Sequence, residues 1–127
     1  MKTILVDAIN TFVIKGVGIY NPLYELLETY PNRKIILTNA DDGQMEQLGL
    51  TNMPYEVFSM KHSPDKPDPI YFKTMLAHFK LQPENLVYFE HNPDAIKSAE
   101  SVGITSYHYD PDKRDLPALK LFLDENL

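Results

Sequence analysis

Short apolar runs alternate along this chain with segments that have the periodicity of an amphipathic helix. Runs typical of strands cover residues 3–6, 34–38, 55–60, 85–90 and 104–109. Helical patterns separate and follow them, over residues 22–30, 41–50, 69–80, 94–103 and 116–127. Strands that alternate with helices form parallel sheets with helices on both faces. We therefore predict an α/β fold, a three-layer Rossmann-like open parallel sheet of about five strands, in a single domain over residues 1–127.

Turn and cap residues mark the ends of these segments. Gly49 and Gly103 follow helical patterns, as glycines at helix C-termini do. Pro22 is expected at the first helical position, directly after Asn21, and Asn92 is expected to cap the next-to-last helix. The run 55–60 alternates apolar and polar residues, which predicts a strand near the edge of the sheet.

The composition argues against several classes of protein. The 127 residues include no cysteine, so disulfides and thiolate metal sites are excluded. The net charge of −6 disfavours a nucleic acid or an anionic membrane as partner, because both attract basic patches. No apolar run approaches the ~20 residues of a membrane-spanning helix, and the first residues turn acidic too early for a signal peptide. We expect a cytoplasmic protein with no nucleic-acid partner and no membrane partner.

Polar residues stand where the predicted strands end. In open parallel sheets, ligands bind beyond the carboxyl ends of the strands, so these residues are candidates for a site. They are Asp7, Thr38, Asn39, Glu90, His91 and, in the loop after the third strand, the stretch from Lys61 to Lys66.

In their order along the chain, these residues resemble the four motifs of the haloacid dehalogenase-like superfamily, most of whose members are phosphohydrolases. The family's Asp-x-Asp-x-Thr motif corresponds to residues 7–11, Asp-Ala-Ile-Asn-Thr. Its Ser or Thr at the end of the second strand corresponds to Thr38, and its Lys near a helix start corresponds to Lys66 in the stretch KPDPIYF. Its fourth motif, commonly Asp-Asp-Ser-Pro, corresponds to residues 90–94, Glu-His-Asn-Pro-Asp. The resemblance spans residues 3–108.

The resemblance implies a divalent-metal-dependent phosphomonoester hydrolase or phosphoryl transferase, with magnesium as the usual metal. It gives Asp7 the role of nucleophile, Thr38 a hydrogen bond to the transferred phosphoryl group, and Lys66 the task of neutralising charge beside Asp7. Thr11 and Asn39 are the substrate-binding residues that it implies. The metal-binding residues that it implies are Asp7, Ile9, Glu90 and His91.

Two positions depart from the family's pattern. The aspartate that exchanges a proton with the leaving group and with water corresponds to Ile9, which has no proton to exchange. Because general acid–base catalysis contributes roughly 10²- to 10⁴-fold, we expect weak or altered activity. A metal-reaching carboxylate corresponds to His91, and a later acidic position corresponds to Ala95. Imidazole is a poor ligand for magnesium and a good one for zinc, so the metal site is expected to be weakened or altered.

The chain is expected to lack the large helical cap that many relatives insert between the first and second motifs. Residues 12–21, which include Gly16 and Gly18, would form a small flap beside the site instead. Capless relatives act on large substrates or assemble so that a neighbouring subunit closes the site. The substrate is therefore expected to be a small phosphorylated molecule or a macromolecule, and a homo-oligomer remains an alternative.

Two functions stay open at this point. One is a slow phosphohydrolase that uses Asp7, and the other is a catalytically inactive relative kept as a binding or regulatory protein. A phospho-accepting receiver domain is set aside, because that fold needs an acidic pair after the first strand and an Asp after the third. We expect the remaining histidines, His62, His78 and His108, to be surface or packing residues.

Overall fold

The computed structural model describes residues 1–127 and contains seven strands. They are β1 (Thr3–Asp7), β2 (Val13–Ile14), β3 (Gly18–Ile19), β4 (Lys34–Thr38), β5 (Glu56–Ser59), β6 (Leu86–Glu90) and β7 (Thr105–His108). Five of them form a parallel sheet in the order β5-β4-β1-β6-β7, and β2 pairs with β3 in an antiparallel hairpin. The central strand β1 thus carries Asp7 to the middle of the sheet's carboxyl edge.

Helices cover both faces of the sheet. They are α1 (Asn21–Glu28), α2 (Asp42–Gln47), α3 (Pro69–Phe79), α4 (Pro93–Ser101) and α5 (Leu116–Asn126). Side chains alternate between the two faces along a strand. Ile4 and Val6 therefore pack in one core with α1 and α5, whereas Leu5 packs in a second core with α3 and α4. The predicted three-layer α/β fold is confirmed.

The ends of these elements follow the local sequence closely. Gly49 and Gly103 come just after α2 and α4, where φ is 72° and 90° respectively, a conformation that ends a helix at little steric cost for glycine. The predicted edge strand is β5, at one end of the sheet. One boundary prediction is wrong, because α1 already begins at Asn21 and its N-cap is Tyr20, which offers no capping side-chain oxygen.

No cap is inserted between the first two strands of the sheet. The chain between β1 and β4 holds only the β2–β3 hairpin and α1. The hairpin lies within the segment 12–21 that was predicted as a flap, yet no residue of that segment lines the cavity described below. None of the helices combines the length and apolar character that crossing a bilayer would require.

Candidate active site

Most of the polar residues predicted from the strand ends line one cavity, whereas Lys61 is exposed and pairs with Asp42. Asp7, Thr38 and Glu90 are the last residues of β1, β4 and β6, which are neighbours in the sheet. The cavity has a volume of about 250 Å³. Its lining residues are Asp7, Ile9, Thr38, Asn39, Ala40, Gln44, Leu48, His62, Lys66, Glu90, His91, Asn92 and Ala95.

A buried cation joins two of the carboxylates. The Nζ atom of Lys66 lies 2.7 Å from Oδ1 of Asp7 and 2.6 Å from Oε1 of Glu90. It also donates a hydrogen bond of 3.2 Å to the carbonyl oxygen of Leu37. Burial would lower the pKa of Lys66, but the negative charges of Asp7 and Glu90 outweigh burial and raise it. Lys66 therefore carries its charge inside the protein and holds the two carboxylates together.

Asp7 is 1% exposed and accepts hydrogen bonds on both of its oxygens. Oδ2 accepts from the hydroxyl of Thr11 at 2.7 Å and from the backbone N–H of His91 at 3.2 Å. It also faces Nδ1 of the His91 ring. Burial favours the neutral acid, but the charge of Lys66 and the hydrogen bonds from His91 hold the pKa of Asp7 well below its ordinary value. The carboxylate is therefore ionised at neutral pH.

Glu90 is fully buried, and each of its oxygens has a donor. Oε1 accepts from Lys66 and from the hydroxyl of Tyr88, while Oε2 accepts from the backbone N–H of Asn92 at 3.1 Å. Burial and the charge of Glu90 raise the pKa of Tyr88 well above its ordinary value. Tyr88 thus stays protonated and acts as a fixed donor beneath the site.

His91 lies between the two carboxylates. Its Nδ1 atom contacts Oδ2 of Asp7 and lies 3.1 Å from Oε2 of Glu90. Hydrogen bonds to Asp7 and Glu90 raise the pKa of His91 to about 10, although partial burial opposes this shift. At neutral pH the ring is therefore a cation that neutralises the second negative charge of the cluster.

Thr38 and Asn39 also line the cavity, and Asn39 fixes the loop that carries Lys66. Oδ1 of Asn39 accepts a 2.8 Å hydrogen bond from the backbone N–H of Lys66. The hydroxyl oxygen of Thr38 accepts from the N–H of Ala40 at 3.2 Å, which leaves its proton free to donate into the cavity. Thr11 is not a lining residue, and its hydroxyl donates to Asp7. Its predicted contact with substrate stays a prediction.

Three side chains could share a cation. Asp7, Glu90 and His91 each offer one ligand atom, and these atoms lie within 4.8 Å of one another. Two carboxylates and an imidazole suit zinc or iron better than magnesium, which prefers oxygen ligands throughout. Ile9 lines the cavity, but its side chain has no donor atom, so only its backbone carbonyl could take part.

His62 lies at the surface, as the sequence predicts, and it also lines the cavity. Its ring is 42% exposed but lines the cavity, where Nδ1 lies 2.7 Å from Oδ1 of Asp65 and Nε2 contacts Oε1 of Gln44. The available signal was its position, since His62 belongs to the loop that follows β5 at the same edge of the sheet as Asp7. The predictions for His78 and Asn92 hold, because His78 is exposed on α3 and Asn92 caps α4.

No family model matches the chain, and no curated protein matches it. Solved structures do match. A HAD family enzyme from Bacteroides thetaiotaomicron matches 87% of this chain and 59% of its own, with a TM-score of 0.66 and 20% identity. The core domain of a Streptococcus pneumoniae protein, provisionally assigned as a phosphoglycolate phosphatase, matches 98% of this chain and 96% of its own, with a TM-score of 0.64 and 15% identity. The chain has the haloacid dehalogenase-like fold.

The same fold is known with a metal. The Bacteroides enzyme has also been solved as a magnesium complex, which matches 78% of this chain and 55% of its own, with a TM-score of 0.60 and 20% identity. The present chain thus spans little more than half the length of that enzyme. At these identities the likeness is one of fold, and the chemistry has to be argued from the site itself.

Proposed function

We propose that this protein transfers phosphoryl groups, as a slow phosphomonoester hydrolase or phosphoryl transferase that uses Asp7 as its nucleophile. The observation that carries the proposal is the state of Asp7. It is ionised, it lines the cavity at the end of the central strand, and it is neutralised by a buried Lys66 at 2.7 Å. A carboxylate in this setting can form a covalent intermediate, which splits one difficult displacement into two easier ones.

In the first step, an oxygen of Asp7 attacks the phosphorus atom and the bond to the leaving oxygen breaks. Lys66 stays within reach of the developing negative charge, and the hydroxyl of Thr38 donates to a phosphoryl oxygen. These donors are already fixed by the fold, so little reorganisation accompanies the reaction. In the second step, water attacks the phosphorus of the aspartyl phosphate, which releases phosphate and restores the Asp7 carboxylate.

A metal bound at this site would offset charge on the phosphoryl oxygens. Asp7, Glu90 and His91 would hold it, with the Ile9 carbonyl as a further ligand. These ligand atoms do not suit magnesium well, because one of them is the Nδ1 nitrogen of His91. That nitrogen also carries a proton that it donates to Asp7 and Glu90. We propose that zinc binds in preference to magnesium and displaces the Nδ1 proton of His91.

Calorimetric titration tests the metal proposal without any choice of substrate. Zinc, manganese and magnesium are titrated separately into the wild-type protein, Asp7→Asn and His91→Gln. We expect zinc binding that weakens in both variants and magnesium binding that is weaker than zinc in the wild type. Magnesium binding as tight as zinc binding, or zinc binding that is unaffected by His91→Gln, would contradict an altered site.

A second candidate function is a binding or regulatory role without turnover. Ile9 favours it, because the side chain at the position of the family's proton carrier lines the cavity and cannot exchange protons. The two candidates share an anion-binding cavity and differ in whether the bound phosphate ester is cleaved.

Hydrolysis of p-nitrophenyl phosphate separates these candidates. Its leaving group departs without a proton, so the lack of a general acid at position 9 slows its cleavage less than that of an alkyl phosphate. We expect slow, metal-stimulated release of p-nitrophenol that Asp7→Asn abolishes. Binding of inorganic phosphate with no Asp7-dependent release would instead support the binding role.

The substrate class follows from the open cavity. We propose a phosphorylated small molecule or a phosphorylated macromolecule, since no cap restricts access. We also propose that a second copy of the chain can close the site in a homo-oligomer. The protein is further proposed to be cytoplasmic and to bind neither nucleic acid nor membrane.

A further inference from the structure

His62 lines the cavity, and its ring contacts two hydrogen-bond acceptors. The family's usual proton carrier is missing from this cavity, because Ile9 occupies its position. Nδ1 of His62 lies 2.7 Å from Oδ1 of Asp65, and Nε2 contacts Oε1 of Gln44 on α2. The same Gln44 oxygen accepts the N–H of Asp41 at 3.1 Å, which fixes the orientation of the amide. Both ring nitrogens therefore face acceptors, and a ring with a proton on each nitrogen satisfies both contacts.

The backbone beside this ring adopts a conformation that non-glycine residues rarely adopt. Lys61 and His62 have positive φ of 52° and 68°. Such residues are strained and persist where their surroundings over-determine them, most often at functional sites. Here the turn presents the His62 ring to the cavity, while the Lys61 side chain points to Asp42 on α2, 3.1 Å away.

The other titratable groups on the cavity wall already have a proposed role or are held in buried ion pairs and hydrogen bonds. Asp7 is the nucleophile, and Lys66 is bound by Asp7, Glu90 and a carbonyl. Glu90 has a donor on each oxygen and no exposed surface. The Nδ1 proton of His91 is shared by Asp7 and Glu90. His62 also has an acceptor at each ring nitrogen, but its ring is 42% exposed and the partner of Nε2 is the neutral amide of Gln44, so a bound substrate can replace that partner. It is oriented by a carboxylate, as catalytic histidines commonly are.

We propose that His62 is the general acid and base of this site, in place of the residue that Ile9 lacks, with Asp65 as its positioning residue. The inference rests on the phosphoryl transfer proposed above. As the Asp7 oxygen bonds to phosphorus and the ester P–O bond breaks, the leaving oxygen takes the proton from Nε2 of His62. In the second step, Nε2 takes a proton from water, whose oxygen bonds to phosphorus. The bond from phosphorus to Asp7 then breaks, so phosphate is released and both side chains return to their starting state.

The test compares a substrate that needs an acid with one that does not. The glycerol of glycerol phosphate leaves as a poor alkoxide leaving group unless it is protonated, whereas the p-nitrophenolate of p-nitrophenyl phosphate leaves without a proton. We expect His62→Gln to lower kcat on glycerol phosphate by about 10²- to 10⁴-fold with little change in KM. On p-nitrophenyl phosphate, the pre-steady-state burst of p-nitrophenol should persist while the steady-state rate falls, because only the second step then needs a base. Asp65→Asn should show the same pattern at smaller amplitude.

A matched control comes from His78→Gln, an exposed histidine on α3 outside the cavity. It should leave both substrates unaffected, and urea unfolding should show that His62→Gln folds. If His62→Gln behaves like His78→Gln, or lowers the burst and both steady-state rates equally, His62 is not the acid and base. If the wild type shows no turnover that depends on Asp7, the proposed function fails and this inference fails with it. Asp7→Asn, run in parallel, therefore distinguishes the two failures.

Discussion

Among single residues, Lys66 balances most of the buried charge in this site. It is 5% exposed, and its Nζ atom contacts both Asp7 and Glu90. Removing one partner of a buried ion pair leaves an uncompensated charge in a poorly solvated place, which costs far more than losing a surface pair. The same side chain therefore serves both the stability of the fold and the chemistry that we propose.

The variant Lys66→Met tests this balance. We expect it to lower the free energy of unfolding by about 3–5 kcal/mol, as measured by urea denaturation. Lys61→Met is the matched control in the same loop, because Lys61 pairs with Asp42 at the surface and most such pairs contribute about 0–1 kcal/mol. Equal effects of the two substitutions would mean that Lys66 is not the counter-ion of the buried carboxylates.

His91 gives a pH dependence with a defined sign. Its pKa is raised from 6.5 to about 10 by its hydrogen bonds to Asp7 and Glu90. Because the folded state binds the proton more tightly, the stabilisation is fully present below pH 6.5 and is lost as the pH rises through 10. The difference in unfolding free energy between wild type and His91→Gln should therefore shrink towards pH 10. A difference that stays constant over this range would contradict a charged ring.

At the scale of elements, the short helix α2 holds one wall of the cavity. Asp41 accepts the N–H of Gln44 at 2.9 Å and the Gln44 side chain accepts the N–H of Asp41, so the helix begins with a capping box. None of the residues of α2 is buried, so this cap is a main determinant of its position.

Asp41→Ala should weaken α2 and, with it, the contact between Gln44 and His62. We expect a loss of about 1 kcal/mol in the free energy of unfolding and a lower rate on glycerol phosphate. Glu46→Ala, an exposed change in the same helix, should shift stability by no more than about 0.5 kcal/mol. A loss of stability without any change in rate would show that α2 does not position the proton carrier.

The fold and part of the candidate site could be predicted from the sequence. The strands and the residues at their ends follow from apolar runs and from the geometry of parallel sheets, so Asp7, Thr38 and Glu90 could be placed together. The contacts of His62 could not, because they depend on a loop conformation with positive φ at two non-glycine residues. The hydrogen bond from Thr11 to Asp7 could not be predicted either, because it depends on the turn after β1, and the expected contact of Thr11 with substrate stays a prediction.

At the scale of the whole molecule, the protein is acidic, but the charges within its candidate site balance. The chain carries a net charge of −6, yet Lys66 and the His91 ring place two positive charges beside Asp7 and Glu90. The fold leaves the cavity uncapped at the carboxyl edge of the sheet. The central claim is that this arrangement lets Asp7 accept a phosphoryl group from a phosphate ester.

Mass spectrometry of the intact protein, after rapid mixing with p-nitrophenyl phosphate and acid quenching, tests that claim most directly. Wild-type protein should gain the mass of one phosphoryl group, located on Asp7 by peptide mapping, and Asp7→Asn should gain none. His62→Gln should hold the phosphoryl group longer than the wild type. A protein that gains no phosphoryl group, or gains one equally well as Asp7→Asn, would contradict the account.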